Sequence, residues 1–145
     1  MQHSNQWIVV VMIIAGLQLS ACERKSATHS KIEPAHVEHI QGTELSRVAL
    51  TARAAERIDI KTVPVREIRL SAPRKAVPYS AVLYDVHGGT WVYTSPEPLT
   101  FVRHQVSIDY IEGDLVVLSD GPPTGTEVVV VGAAELFGTE FGIGH

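Results

Sequence analysis

The sequence predicts an all-β fold, a small antiparallel β-barrel or sandwich of about six strands with one short N-terminal helix. Three observations carry this. Short apolar or alternating runs rich in Val, Ile, Tyr, Phe and Trp follow one another from Val77 to Val131, which is strand composition. Gly and Pro clusters punctuate them at Gly88-Gly89, Ser95-Pro96-Glu97-Pro98, Gly113 and Gly121-Pro122-Pro123-Thr124-Gly125, each a turn signal. No helical pattern is long enough to cross over between parallel strands, which disfavours an α/β arrangement.

A length of 145 residues leaves room for one core and little else. The hydrophobic fraction of 45% is ordinary for a globular protein, and a formal net charge of −4 argues against nucleic acid as a partner.

Residues 1–21 read as a leader. Its apolar run, Ile8 to Leu19, is shorter than the roughly 20 residues a spanning helix needs, and small residues precede the expected cut. The segment ends Leu19-Ser20-Ala21-Cys22, with the only cysteine of the chain, and resembles the lipobox of bacterial lipoproteins. That resemblance implies lipid modification of Cys22 and a protein held at the periplasmic face of a bacterial membrane, inner or outer; an ordinary transmembrane anchor is the alternative. A single cysteine allows no intramolecular disulfide, so the domain depends on packing.

Residues 22–44 follow as a polar, flexible tether. Within it, Ser30-Lys31-Ile32-Glu33 has the form of a capping box, predicting a short helix that runs through Ile40 toward Gly42. The β-domain is expected over 45–145. Thr51 is placed to cap a one- to two-turn helix over the Ala- and Arg-rich residues after it. An extended segment with partial alternation then runs from Ile58 to Leu70, where Pro64 marks an edge or a break.

Further along, Ala81 to Tyr84 and Trp91 to Tyr93 flank Asp85-Val86-His87-Gly88-Gly89, a hairpin signal. Leu99 to Ile111 reads as one long strand whose even-numbered residues, Val102, His104, Val106, Ile108 and Tyr110, form the core face. Glu112-Gly113-Asp114 closes a hairpin onto Leu115 to Leu118. Glu127 to Val131 is apolar on both faces and is therefore expected to be central and covered. Tyr84, Trp91, Tyr93 and Phe101 are expected to pair across strands as core or half-core.

The run Val77-Pro78-Tyr79-Ser80-Ala81-Val82-Leu83-Tyr84-Asp85, together with Val131-Gly132-Ala133-Ala134-Glu135-Leu136, resembles the membrane-proximal domain of periplasmic adaptor subunits, or membrane fusion proteins, of tripartite efflux pumps of the resistance-nodulation-division (RND) type. Leu50-Thr51 and Ile58-Asp59-Ile60-Lys61-Thr62-Val63-Pro64-Val65 resemble the segment near the start of such adaptors. In the family a barrel, a lipoyl-like domain and usually a long helical hairpin separate the two regions. Here about a dozen residues do, with no heptad pattern, so the chain has no means of bridging two membranes alone. The resemblance implies an accessory module whose partner is an RND transporter or a full-length adaptor subunit.

Residues of catalytic type do not converge. Ser80, Ser107 and Ser119 lack a nucleophile-elbow context, and Gly121 to Gly125 lacks the Lys-Ser/Thr of a phosphate loop; the chain is expected not to be an enzyme. Metal binding has one candidate set: His36 and His39, sharing a helical face at i, i+3, with His29 or Glu33, for Zn²⁺ or Cu²⁺. Solvated histidines in a tether are the alternative. His87 and His104 read as structural. Every Lys and Arg except Arg103 precedes Ala76, and nine acidic residues follow it; the two signs either pair internally through Arg66, Arg69, Arg74 and Lys75 or leave an acidic docking surface. The expected function is that of a lipid-anchored periplasmic accessory module of an RND-type efflux system, the alternatives being a periplasmic metal-binding protein and a non-functional adaptor remnant.

Overall fold

The computed structural model describes residues 33–69 and 71–143. The fold is all-β, with two antiparallel sheets packed as an open sandwich. Among the described residues the first strands are β1 (Ala35–His39) and β2 (Ser46–Leu50), followed by helix α1 (Ala52–Arg57), β3 (Lys61–Pro64), β4 (Arg66–Arg69) and β5 (Pro73–Pro78). A 3₁₀ turn (Tyr79–Ala81) leads to β6 (Leu83–Tyr84), β7 (Thr90–Glu97), β8 (Thr100–Gln105), β9 (Ser107–Glu112), β10 (Leu115–Asp120), β11 (Glu127–Val131) and helix α2 (Ala133–Glu140). The 7-stranded sheet runs β1-β2-β8-β7-β11-β3, with β6 paired to β7, and the 4-stranded sheet runs β4-β5-β10-β9.

Two strand pairs pass directly from one sheet to the other. β3 pairs with β11 in the large sheet and β4 with β5 in the small one, and Val65 alone separates them. Val106 separates β8 from β9 in the same way. Both valines are buried, at 1% and 3% exposure, and their backbones stay satisfied: Val65 N–H donates to Thr126 O at 2.8 Å and Val106 N–H to Thr90 O at 2.9 Å. Strands that switch sheets at such bends form the corners of a sandwich.

The corner at Val106 corrects the single strand predicted over Leu99 to Ile111. Before it the odd residues Phe101 and Arg103 face inward, at 2% and 6% exposure, and His104 is exposed; the even-numbered core face fails for β8 because the chain bends between two sheets. Among the described residues there are eleven strands in place of the expected six or so: each of the two corners cuts one run in two, and β1 forms in place of the predicted helix. β7 also continues through Ser95-Pro96-Glu97, with its register shifting between Thr94 and Glu97; the turn falls at Pro98-Leu99, where Leu99 takes a φ of 59°.

The helix predicted through Ile40 is instead β1. It pairs with β2 over five positions from Ala35↔Leu50 to His39↔Ser46, so the ladder overrides a local capping signal whose helix would be marginal at that length. The β-domain accordingly begins ahead of Leu45, and 35–39 is strand rather than tether. α1 forms where expected, with Thr51 Oγ1 accepting from Ala54 N–H at 3.2 Å.

Helix α2 is absent from the sequence expectation. Its residues Ala133, Ala134, Glu135 and Leu136 favour helix, and Ala133, Leu136 and Phe137 recur at i, i+3, i+4 on the face that packs inward. Gly132 at φ 88° turns the chain from β11 into the helix, and a Cβ there would collide with the Ile60 side chain. The large sheet is thus covered on both faces. Tyr93 and Val129 pack with α1, α2 and β2 in one cluster, while Val92 and Val128 pack against Val77, Val116 and Leu118 of the small sheet. That explains a run apolar on both faces: Val128 and Val129 are each 0% exposed.

Leu136 is likewise 0% exposed. Leu136→Ala is expected to lower stability by about 2–5 kcal/mol, read in urea as a lower midpoint at unchanged slope. An unchanged midpoint would mean that α2 is not part of the cooperative unit.

Candidate functional site

The chemistry inside the domain converges on one carboxylate. Glu140 lies one further step along the inner stripe of α2, after Ala133, Leu136 and Phe137, where an apolar residue is expected. Arg103 occupies the corresponding inward position of β8. Their side chains are 2% and 6% exposed, and Arg103 Nε donates to Glu140 Oε2 at 2.8 Å. The Tyr93 hydroxyl donates to the same oxygen at 2.5 Å. Arg103 is also flanked by rings, its guanidinium carbon 4.5 Å from the centre of Trp91 and 4.8 Å from that of Phe141, so cation–π attraction adds to the ion pair. Burial, followed by the hydrogen bond to Glu140 and its charge, pushes the Tyr93 phenol well above the ordinary tyrosine value, against a smaller opposing effect of Arg103.

The network continues outward through Trp91. Its indole N–H donates to Asp85 Oδ2 at 2.8 Å, and the other Asp85 oxygen accepts from the amides of His87 and Gly89, both at 2.8 Å. The Trp91 bond first, then the Gly89 amide, hold the Asp85 carboxyl below the usual carboxylate range. Gly89 is required by this closeness, since a Cβ there would overlap the Asp85 carboxylate. Among the described residues no buried side-chain nitrogen or oxygen lacks a partner. The contacts on Glu140 Oε2 make the cluster a clamp between β8, β7 and α2.

The metal candidates are not brought together. In β1, His36 and His39 fall on opposite faces, because side chains alternate along a strand, and both are exposed. The shared helical face does not form. His29 and Cys22 lie outside the described residues, and among the described residues no group of three or more His, Cys, Asp or Glu is spaced to hold a metal ion. His87 sits in the β6–β7 turn and His104 in β8, both exposed.

The surface charges are distributed by strand. The β4–β5 hairpin carries Arg66, Arg69, Arg74 and Lys75; the β9–β10 hairpin carries Asp109, Glu112, Asp114 and Asp120. Internal pairing is limited to Arg74 with Asp109 at 3.9 Å, while Lys75 Nζ is held by Gly121 O at 2.5 Å. Two of the four expected internal cations, Arg66 and Arg69, have no ion-pair partner among the described residues.

Sequence reading missed Arg103, Glu140 and Tyr93 as a unit, although a signal exists: Arg103 is the lone cation after Ala76, and Glu140 sits seven residues after Ala133 on an apolar stripe. The chain matches no family model, no curated protein and no solved structure.

Arg103→Met strands the Glu140 carboxylate in the core and is expected to cost about 3–5 kcal/mol. Adding Glu140→Met should return part of that loss, so that the double variant is more stable than the sum of the single effects allows; strict additivity would contradict the pairing. Tyr93 sets an alkaline limit. Its phenol ionises at higher pH folded than unfolded, so its contribution is present in full below the ordinary value of 10.0 and is lost as pH climbs from there toward the folded value. Phenolate absorbance should show Tyr93 ionising only as the fold opens, after the other tyrosines, and Tyr93→Phe should remove that late step.

Proposed function

We propose that this chain is a lipid-anchored periplasmic accessory module of an RND-type efflux system, acting by contact with the transporter or with full-length adaptor subunits. One observation carries the reading. The segment resembling the start of an adaptor, β3, is hydrogen-bonded to β11, which leads into the segment resembling its end at Val131, in the register Glu127↔Pro64, Val128↔Val63, Val129↔Thr62 and Val131↔Lys61. A domain assembled from two distant chain ends stays whole on excision of what lies between only if those ends are already neighbours. In place of the stretch that separates the two regions in the family stands the β4–β5 hairpin, with Arg66↔Ala76 and Arg69↔Pro73, which supplies two strands of the small sheet. Anchoring through Cys22 raises the local concentration at the membrane, so weak contacts suffice.

The test is recovery of partners. Tagged full-length protein from its own host, extracted in mild detergent, should bring down an efflux transporter or adaptor, and Cys22→Ala should diminish the yield. A clean preparation without either would reject the accessory role and turn attention to the metal-binding alternative, which zinc or copper titration of the wild type against the His36→Ala/His39→Ala variant would decide, or to a remnant without a partner.

A further inference from the structure

The small sheet ends in two strands that each have one hydrogen-bonded neighbour: β4 beside β5, and β9 beside β10. All three pairings in this sheet are antiparallel. Four strands alternating in direction leave β4 and β9 running oppositely. A second copy translated within the plane of the sheet would therefore lay its β4 antiparallel to the first copy's β9, continuing the ladder without inversion.

The charges on these edges are opposite, and apart from the Arg74–Asp109 pair and Lys75, which is held by Gly121 O, they have no ion-pair partner among the described residues. β4 exposes Arg66 and Arg69 around Glu67, with the cations Arg74 and Lys75 on the next strand. The β9 edge exposes Asp109 and Glu112, followed by Asp114 in the turn, and its apolar residues Tyr110 and Ile111 are 39% and 46% exposed. Among the described residues Arg66, Arg69, Glu112 and Asp114 have no ion-pair partner. The edges of the large sheet differ: Glu38 of β1 faces Arg47 at 3.9 Å, and Lys61 of β3 is held by Asp59 at 2.6 Å, while Pro64 ends β3. Charged edges ordinarily block strand pairing. With opposite signs on the two edges, like edges repel and unlike edges attract, so the same charges become a selector.

We infer that copies of this chain associate head to tail through the small sheet, β9 of one against β4 of the next. Such a contact is heterologous and extends to a ring or a row rather than stopping at a dimer. This does not depend on the efflux reading.

The test uses the full chain in mild detergent, followed by sedimentation velocity over a wide concentration range. Wild type should grow beyond dimer with concentration and shrink at high salt. Variant one, Arg66→Glu/Arg69→Glu, makes both edges acidic; variant two, Glu112→Lys/Asp114→Lys, makes both basic. Each alone should associate roughly tenfold or more weakly than wild type, and an equimolar mixture should regain association, because each variant then meets an edge of opposite sign. Recovery on mixing shows that both variants are folded. A wild type that stays monomeric, association indifferent to either reversal, or a mixture of two variants folded by circular dichroism that remains apart would each overturn the inference.

Discussion

The interaction on which the rest of the domain depends is the buried contact between Arg103 and Glu140. The large sheet exposes an apolar face that the small sheet does not cover, and α2 is a principal lid over it. A helix of eight residues has little stability of its own in water. Its tertiary contacts must fix it, and these are Leu136 and Ala133 in the core together with the carboxylate of Glu140, taken at once by Arg103 and Tyr93. A buried ion pair is not a cheap source of stability, because desolvation offsets much of the attraction. Its use here is geometric. Leucines would hold α2 to the sheet in several rotations, whereas two donors on one oxygen fix its last turn over β7 and β8.

The same cluster ties distant parts of the chain to one another. Asp85 organises the β6–β7 turn, Trp91 links that turn to Arg103, and Glu140 links Arg103 to the final helix. With one cysteine in the chain, no intramolecular disulfide is available to the fold. Two corners and one polar clamp take that place: Val65 and Val106 carry strands between sheets, and the clamp closes the face that remains.

What the residues reveal in advance follows from the range of the forces involved. Turns with a local cause were legible, as at Gly88-Gly89 and Gly113, and so was the Thr51 cap, because each depends on a few adjacent residues. The core character of Val128 and Val129 was legible from a run apolar on both faces. The corner at Val106 was not, since a strand leaving one sheet for another keeps its alternating sequence while its buried side changes. β1 was misread because a capping motif is local and the β2 ladder is not. α2 was hidden by its brevity, and the clamp by its two members lying 37 residues apart, each looking like an ordinary surface charge. The shared helical face expected for His36 and His39 does not form for the same reason, because a spacing that aligns two side chains on a helix separates them on a strand.

The layering also limits where a partner can bind. With helices on one face of the large sheet and the small sheet on the other, its interior positions are closed; what remains to a partner is the outer surface of the covering layers and the strand edges. Hydrophobic exposure on these is dispersed, from Tyr79 and Tyr84 beside the 3₁₀ turn to Phe141 and Ile143 after α2, and scattered residues of this kind are normal for a protein surface. Charge is not dispersed, because the hairpins β4–β5 and β9–β10 divide it by sign. Recognition built on such a division steers and selects more than it binds tightly. A module of this design suits an assembly in which something else, a lipid anchor or a multiplicity of copies, supplies the persistence that its own contacts lack.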